Sequence, residues 1–291
     1  DEGYRMQLAT ALRSIVDSNL SNWPIEVHVL SDSFTEAAKG EVLDSLHKGA
    51  ASIRWVPLDL SMFQDFWTRD DVSKMTFARL MIPMTFPDIV SKVLYLDTDI
   101  LVLDDLKPLW ETNLDGAILG AVLDNLDPHF KSGNPGYEEA PRVANYFNAG
   151  VMLIDLDRWR NEQVSEKALA YMKQHHRTPF MDQDALNVVC DGQWKMLDRR
   201  WNYHNCWSTR LSNFSPSNRP AIVHFVSIMK PWNASMLSVN ARFYDDFRSR
   251  TCFARTPKQK LYDLIQRAWA RLKRIVMRNV FFRAIRQHFG S

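Results

Sequence analysis

The sequence lacks several features, and each absence excludes a class of protein. No stretch approaches the roughly 20 uncharged apolar residues that a membrane-crossing helix needs. No charged and then apolar leader follows Asp1, so a secretory leader is not expected. The cysteines (Cys190, Cys206 and Cys252) are far apart and odd in number. They argue against a disulfide framework or a CxxC metal site, and they favour a reducing compartment.

The composition that is present is typical of a globular protein with one large α/β domain, or one domain plus a tail. Of 291 residues, 46% are apolar and 24% are charged, with a net charge of +2. Residues 257–291 hold nine Lys/Arg and one acidic residue, a charge of +8, so the remainder carries 2 − 8 = −6. We therefore expect a domain over 1–256 and a basic tail over 257–291 with different partners.

Apolar periodicity predicts alternating strands and helices in the first part of the chain. Helices are expected at 6–20, 36–46, 75–84, 165–175 and 182–190, and strands at 26–30, 53–57, 92–96, 117–123, 150–155 and 221–225. This pattern predicts an α/β fold with a mostly parallel, twisted sheet flanked by helices. The Gly/Pro-rich segment 131–141 is predicted to be a mobile surface loop beside the ligand, and 209–220 a second loop.

Two aspartates follow the predicted strand in "KVLYLDTDILVL", Asp97 and Asp99, separated by one residue. In a parallel sheet, ligands bind beyond the carboxyl ends of the strands, which is where this pair falls. Ionised carboxylates are hard oxygen ligands that suit Mg²⁺ or Mn²⁺, and an ion held by two of them can neutralise a diphosphate. A helix cap or a solvated turn is the alternative, and the pair alone does not decide between them.

Three further segments carry polar groups at the predicted ends of strands or helices. "HFVSIMKPW" offers His224 as a borderline metal ligand and Lys230 as a point charge for a phosphate. "YFNAGVMLIDLDRWR" places Asn148 before a buried strand, and "FMDQDALNVV" places Asp182 and Gln183 at a helix start. A core-edge histidine, a turn and a helix cap are the respective alternatives.

Together and in this order, these segments resemble the retaining glycosyltransferases of family 8, which include bacterial lipopolysaccharide galactosyl- and glucosyltransferases and glycogenin. The resemblance rests on "KVLYLDTDILVLDDLKPLW", "YFNAGVMLIDLDRWR", "MDQDALN" and "HFVSIMKPW", with "ARL" at 78–80 as a weaker match. It runs from about residue 1 to residue 232. It implies a single nucleotide-sugar-binding domain of the GT-A type and a hexosyltransferase activity that retains the configuration of the donor.

The resemblance implies a metal site made by Asp97, Asp99 and His224. Mn²⁺, with Mg²⁺ as the alternative, would be held there against the diphosphate of a UDP-sugar. Lys230 would contact the phosphates and assist their departure, and Arg79 would contact sugar and phosphate.

The resemblance also assigns residues to the donor sugar and to the base. Asn148 and Asp182 would hydrogen-bond sugar hydroxyls, and Gln183 would lie near the anomeric carbon, so that Gln183, Asp182 and Lys230 form the catalytic set. Because an amide is a poor nucleophile, we favour an ion-pair route in which Gln183 stabilises positive charge. Asp1 and Tyr4 would match the uracil contacts, with Tyr4 stacking on the base.

The chain departs from the family pattern at two places. Ser227 stands where the family usually has glycine, which would weaken a backbone contact with phosphate. The chain also starts at "DEGY", where family members have already completed a β-strand, so that the first strand is expected to be missing. They are the only features that favour a catalytically silent nucleotide-sugar binder, and the otherwise intact site opposes it.

The basic tail is predicted to be an amphipathic helix with Leu264, Ile265, Leu272 and other apolar residues on one face. Basic residues lie beside and opposite that face, and the same segment also contains aromatic residues. This pattern is typical of helices that bind anionic membrane surfaces, and packing of the helix on its own domain is the alternative. No nucleic-acid partner is expected. We therefore expect a peripheral protein on the cytoplasmic side of a bacterial membrane that acts on a lipopolysaccharide or another surface glycolipid.

A Golgi-type glycoprotein glycosyltransferase is a further alternative. It is suggested only by the sequons at Asn213 and Asn233, which arise often by chance.

Overall fold

The computed structural model describes residues 1–69, 72–127, 140–204, 206, 208–215, 218–226 and 228–289, with side chains as far as residue 276. Its strands are β1 (Glu26–Ser31), β2 (Ser52–Pro57), β3 (Lys92–Leu96), β4 (Ile100–Val102), β5 (Leu119–Leu123), β6 (Phe147–Asp155), β7 (Trp194–Met196) and β8 (Ile222–His224). Its α-helices are Arg5–Asp17, Glu36–Asp44, Ile82–Thr85, Lys107–Trp110, Leu156–Asn161, Val164–Gln174, Asp182–Val189, Ala241–Arg248 and Pro257–Phe289.

The α/β class is confirmed, but the expected mostly parallel sheet is wrong, because the sheet is mixed. The central sheet has the order β3-β6-β5-β7, and β6 runs antiparallel to both β3 and β5. The short strands β4 and β8 also pair antiparallel, whereas β1 and β2 are parallel. Alternation of strands and helices does not reveal strand direction, and β6 enters the sheet from the opposite end.

Most predicted elements are present near their expected bounds. The segment 75–84 differs: it forms a 3₁₀ helix over Lys74–Met81 that continues into the short α-helix Ile82–Thr85. Ser73 starts it by accepting a hydrogen bond from the Met75 backbone N–H. Of the loop predicted at 131–141, residues 131–139 lie outside the described residues, as do residues 216 and 217 of the second loop and Ser227.

One core packs β5 and β6 against the helices Val164–Gln174 and Asp182–Val189. It contains Trp159, Phe147 and Phe77, all fully buried. Full burial of side chains of this size stabilises a fold by roughly 1.5–3 kcal/mol each. A second core packs the N-terminal helix against β4 and β8. The two cores meet along the buried strand β6, which fixes the position of the polar residues at its beginning.

A cavity of about 1340 Å³ is lined by β1 and β3 and continues to the ends of β3 and β8. Within the described part of the chain, β1 pairs with β2 and β3 with β6, and the two strands do not pair with each other. The cavity therefore lies between two strands that belong to different sheets.

The last helix, Pro257–Phe289, is called the tail helix below. Its apolar side chains Leu264, Ile265 and Leu272 are exposed. Asp263, in its second turn, forms an ion pair with Arg255. In the described residues no helix combines the length and the apolar character that crossing a membrane requires.

Candidate active site

Two antiparallel pairings bring Asp97, Asp99 and His224 together. Asp97 follows β3 and continues its pairing with β6, since its N–H donates to the Gly150 carbonyl at 2.8 Å. In the β4–β8 pair, Ile100 lies opposite His224, so Asp99 lies next to the imidazole. His224 Nε2 is 3.1 Å from Asp99 Oδ1 and 3.6 Å from Asp97 Oδ2. One ligand atom from each residue lies within 4.8 Å of the others.

Cations compensate the carboxylates of this cluster. Lys230 Nζ lies 2.6 Å from Asp99 Oδ2 and donates to the Phe225 carbonyl. Burial opposes the ionisation of Asp99, but Lys230 and His224 together hold the pKa of that carboxyl well below its usual range. Asp99 is therefore an anion at any physiological pH, as a metal ligand must be.

Arg79 joins the metal cluster to the start of the helix Asp182–Val189. Its guanidinium is buried, 3.3 Å from Asp97 and 2.9 Å from Asp182, and Nη1 donates to the Ala149 carbonyl at 2.7 Å. Burial alone would lower the pKa of Arg79, but Asp97 and the other nearby acidic groups raise it above its ordinary value. Burial also raises the pKa of Asp182, against the opposing effect of Arg79.

Gln183 is held in one orientation by its neighbours. The Ala149 backbone N–H donates to Gln183 Oε1 at 2.9 Å, which identifies that atom as the oxygen. Gln183 Nε2 then donates to Asp124 and to the Tyr146 hydroxyl, at 3.3 and 3.2 Å. The oxygen is therefore fixed and retains a lone pair.

A bulge in β6 shapes the floor of the site. The β5–β6 register shifts between Ala121 and Val122, which pair with Met152 and Asn148, so residues 149–151 bulge toward the cluster. A Cβ added at Gly150 would lie 2.1 Å from His224 Cε1 and 2.7 Å from Asp97 Oδ2. A glycine is therefore required for the backbone to lie against two residues of the cluster.

The cluster fits a hard or borderline divalent cation. Two carboxylate oxygens and one imidazole nitrogen converge on one point, which is a donor set suited to Mn²⁺ and acceptable to Mg²⁺. Asp97 also accepts a hydrogen bond from the Tyr95 hydroxyl at 2.7 Å, which orients it.

All ten residues predicted from the sequence line the same cavity: Asp1, Tyr4, Arg79, Asp97, Asp99, Asn148, Asp182, Gln183, His224 and Lys230. Their individual roles stay predictions. Asn148 is more occupied than expected, because Nδ2 donates to Asp124 at 2.9 Å and Oδ1 accepts from Gly150 N–H and Asn202 Nδ2. At most one N–H of Asn148 is left for a sugar hydroxyl.

Asp124, Asn202 and Tyr95 take part in the site but were not predicted from the sequence. Asp124 directly follows β5, so its position at a strand end was an available signal. Asn202 follows a one-turn 3₁₀ helix, and nothing in the local sequence pattern indicates that it lies behind His224.

Comparison with known proteins agrees with this geometry. Residues 1–235 match the model of glycosyl transferase family 8. A crystal structure of galactosyltransferase LgtC in complex with donor and acceptor sugar analogues superposes with a TM-score of 0.73 at 27% identity, covering 90% of this chain and 97% of that one.

Two curated relatives show the spread of this similarity. General stress protein A of Bacillus subtilis is 26% identical over 81% of this chain and 86% of its own length. Lipopolysaccharide 1,2-glucosyltransferase of Escherichia coli is 21% identical over 84% of this chain and 74% of its length. The chain spans only 56% and 61% of two other, longer curated relatives.

The family match covers most of the chain, and the fold agrees with it. The chain belongs to glycosyl transferase family 8, as a glycosyltransferase with the GT-A fold.

Proposed function

We propose that this chain transfers a hexose, galactose or glucose, from a UDP-sugar to a saccharide acceptor with retention of configuration. The observation that carries the proposal is the convergence of Asp97, Asp99 and His224 in one cavity with Lys230 and Gln183. The donor complex of LgtC, a galactosyltransferase, supports a nucleotide-sugar donor.

In this proposal the diphosphate would lie at the metal cluster. Mn²⁺, or Mg²⁺ in its place, would be held by Asp97, Asp99 and His224 and would supply Lewis-acid stabilisation of charge on the departing UDP. Lys230 lies against Asp99 and would donate to phosphate oxygens from there. Arg79 contributes a second fixed positive charge, and because it is buried and ion-paired, it needs no rearrangement to act.

In this proposal the donor sugar would lie between Asp182, Asn148 and Gln183. As the bond to UDP breaks, positive charge develops at the anomeric carbon, and the fixed carbonyl oxygen of Gln183 would stabilise it. An amide oxygen is a weak nucleophile, so an ion-pair route fits this residue better than a covalent intermediate. Asp1 and Tyr4 line the same cavity and would receive the uracil.

The acceptor is proposed to be a lipopolysaccharide core or another surface glycolipid. The similarity to a lipopolysaccharide 1,2-glucosyltransferase supports a saccharide acceptor of this kind. Residues 257–291 would hold the enzyme, as a peripheral protein, on the anionic cytoplasmic face of a bacterial membrane, because the tail helix exposes apolar residues beside basic ones. The domain 1–256 would then carry the chemistry.

The alternative is a silent nucleotide-sugar binder, suggested by Ser227 in the place of the family's usual glycine. The geometry favours the enzyme, because three partners hold Gln183 in one orientation in the cavity that also contains the metal cluster. For the Golgi-type alternative, Asn233 Oδ1 accepts hydrogen bonds from Ser235 N–H and the Ser235 hydroxyl in a capped turn, which gives that sequon a structural reason.

The proposal is tested by following UDP release from a panel of UDP-sugars, with and without Mn²⁺ and with glycolipid acceptors. The variant Asp99→Ala should lower turnover by at least about 100-fold, since loss of a residue that merely supports a ligand already costs about 10–100-fold. Asp104→Ala is the matched control, because Asp104 is a half-exposed carboxylate on the far side of β4, paired with Arg200.

Each outcome of this experiment has a distinct meaning. Mn²⁺-dependent release from one sugar, lost in Asp99→Ala and kept in Asp104→Ala, supports the enzyme and names its donor. UDP binding without turnover on any donor and acceptor pair favours the silent binder. A folded protein that does not bind UDP overturns the proposal.

A further inference from the structure

We propose that Asn202 is a positioning residue that fixes the tautomer of His224, so that Nε2 presents its lone pair to the cation site. The proposal deepens the proposed function, on whose metal site it rests. It follows from a chain of hydrogen bonds that starts at one backbone N–H. That N–H determines which amide atom of each side chain is the oxygen and which is the nitrogen.

The chain starts at Gly150, whose backbone N–H can only donate. It lies 3.1 Å from Asn148 Oδ1, so this atom of Asn148 is the oxygen. The other amide atom, Nδ2, lies 2.9 Å from a carboxylate oxygen of Asp124, which is an acceptor, as the assignment requires.

The assignment passes from Asn148 to Asn202. The Asn202 amide atom that lies 2.8 Å from Asn148 Oδ1 must be a donor, and it is therefore Nδ2. The remaining atom, Asn202 Oδ1, lies 3.0 Å from His224 Nδ1. An amide oxygen only accepts, so His224 Nδ1 carries the proton.

Burial leaves no alternative to this assignment of donors and acceptors. Asn202 is 0% exposed and His224 is 3% exposed, so water does not supply alternative partners. The Asn202 backbone is held as well, because its carbonyl accepts from His204 Nδ1, while His204 Nε2 accepts from the Asn125 N–H. Reversing the Asn202 amide would place its carbonyl oxygen against the Asn148 carbonyl oxygen, which Gly150 N–H holds in place.

This assignment determines the role of the other ring nitrogen of His224, Nε2. With the proton on Nδ1, Nε2 is the nitrogen that faces the carboxylates, 3.1 Å from Asp99 and 3.6 Å from Asp97. It donates to Asp99 when it is protonated, and it would offer its lone pair to a metal ion held between the two carboxylates. Imidazole ligands are commonly oriented by a hydrogen bond from the opposite nitrogen, and here an amide provides it where a carboxylate or a backbone carbonyl is more usual. Asn202 is not part of the cavity lining, so it would act only through His224 and Asn148.

The test reads the protonation of each ring nitrogen directly, in metal-free protein labelled with ¹⁵N-histidine. Long-range proton–nitrogen spectra should show a proton on His224 Nδ1 in the wild type. A wild-type ring without a proton on Nδ1 would overturn the proposal. This readout does not depend on turnover, so it stands even if no UDP-sugar is a substrate.

Three variants separate positioning from simple stabilisation, with Mn²⁺ affinity measured by electron paramagnetic resonance titration. Asn202→Leu removes the acceptor and should weaken Mn²⁺ binding by about 10–100-fold. Asn202→Asp keeps an acceptor at Nδ1 but sets its second oxygen against Asn148 Oδ1, so it should recover only part of the affinity, at least about threefold above Asn202→Leu. Asn240→Leu is the matched control, because Asn240 is an equally buried asparagine that bonds Leu211, Cys206 and Thr209.

The pattern of affinities decides the matter. The proposal requires a loss in Asn202→Leu, partial recovery in Asn202→Asp and no change in Asn240→Leu, with all three folded by circular dichroism. Equal losses in both Asn202 variants would mean that the residue only supports the fold there. Wild-type affinity in Asn202→Leu would equally overturn the proposal.

Discussion

The residues around His224 and the residues of the tail helix differ in how their side chains are partnered. At the site, charged and amide groups from β3, β6, β8 and several loops each have two or more partners and little exposure. In the tail helix, one continuous segment exposes its apolar side chains, and Leu264 is 68% exposed. A buried polar group must be satisfied from many directions, whereas a surface-binding face needs only a repeating pattern.

A substitution at Gly150 should have the largest effect, because it breaks the close packing that distinguishes the site. In Gly150→Ala, the new methyl group would overlap His224 and Asp97. We expect Mn²⁺ affinity to fall by more than about 100-fold, and overpacking to cost roughly 1–3 kcal/mol of stability. Titration of Mn²⁺ and urea unfolding measure the two effects.

Gly40→Ala is the control for this substitution. Gly40 lies in the helix Glu36–Asp44, where an added Cβ meets no atom within 4 Å. Alanine there should stabilise the helix by up to about 1 kcal/mol and leave Mn²⁺ binding unchanged. Wild-type Mn²⁺ affinity in Gly150→Ala would show that β6 can move away from the cluster.

The same difference explains what the sequence could predict. Asp97 directly follows one strand that an apolar run reveals, and His224 ends another. Only the resemblance to the family joined them in one metal site, because the rule for strand ends was applied to the aspartates alone and to an expected parallel sheet. The tail helix could be predicted equally well, because its apolar residues recur with the period of a single helix along one continuous segment. Arg79 was recognised only through "ARL", and its burial between Asp97 and Asp182 is a tertiary fact.

Other parts of the site were out of reach of sequence patterns. The β6 bulge depends on how β5 and β3 pair with the two edges of one strand, and no local periodicity encodes a register shift. The antiparallel course of β6 places its first residues beside the end of β3, which is why Asn148 and Gly150 reach the cluster. Asn202 is placed by the pairing of Tyr203 with β8 and not by its own neighbours.

Asp184 tests the cost of burying a charge near the site. It accepts hydrogen bonds from the Tyr146 hydroxyl and the Phe180 N–H, yet burial raises its pKa to about 6 from a model-compound value of 3.8. A raised carboxyl pKa favours the neutral form in the folded state. The contribution of Asp184 to the free energy of unfolding is therefore fully present below pH 3.8. It falls by about 3 kcal/mol as the pH rises to 6 and does not change further above that pH.

Urea unfolding between pH 4 and pH 7 measures this effect. Asp184→Asn should lack the decline, so that its stability relative to wild type rises by up to about 3 kcal/mol across this range. Asp191→Asn, at an exposed carboxylate just beyond the same helix, should keep the wild-type profile. Parallel profiles for wild type and Asp184→Asn would contradict the assignment.

Asp263 lies where the two regions meet and should have an intermediate effect. Arg255, with its side chain 8% exposed, forms ion pairs with Asp245 and Asp263, and it donates to the Trp232 carbonyl at 3.0 Å. The first turns of the tail helix therefore pack with the catalytic domain. Asp263→Asn should cost about 1–2 kcal/mol, less than the 3–5 kcal/mol of a fully buried pair, because Asp263 is partly exposed.

Comparison of urea midpoints with Asp246→Asn, an exposed aspartate of the helix Ala241–Arg248, checks this value. The control should change stability by less than about 0.5 kcal/mol. Equal midpoints for the two variants would mean that the tail helix is independent of the domain from its first residue, as the boundary at 256 assumes.

The smallest effect on stability is expected within the tail helix, where one type of substitution contrasts the two environments directly. Leu109 is 0% exposed and Leu264 is 68% exposed. Leu109→Ala should cost roughly 2–5 kcal/mol, whereas Leu264→Ala should cost less than about 0.5 kcal/mol, since the Leu264 side chain buries little apolar area when the chain folds.

The exposed face of the tail helix should instead matter for lipid binding. The combined change of Leu261, Leu264 and Leu272 to Gln should abolish cosedimentation with vesicles of phosphatidylglycerol and phosphatidylethanolamine. Unchanged cosedimentation would leave the basic residues alone responsible for binding, and a large loss of stability would mean that this face packs on the protein.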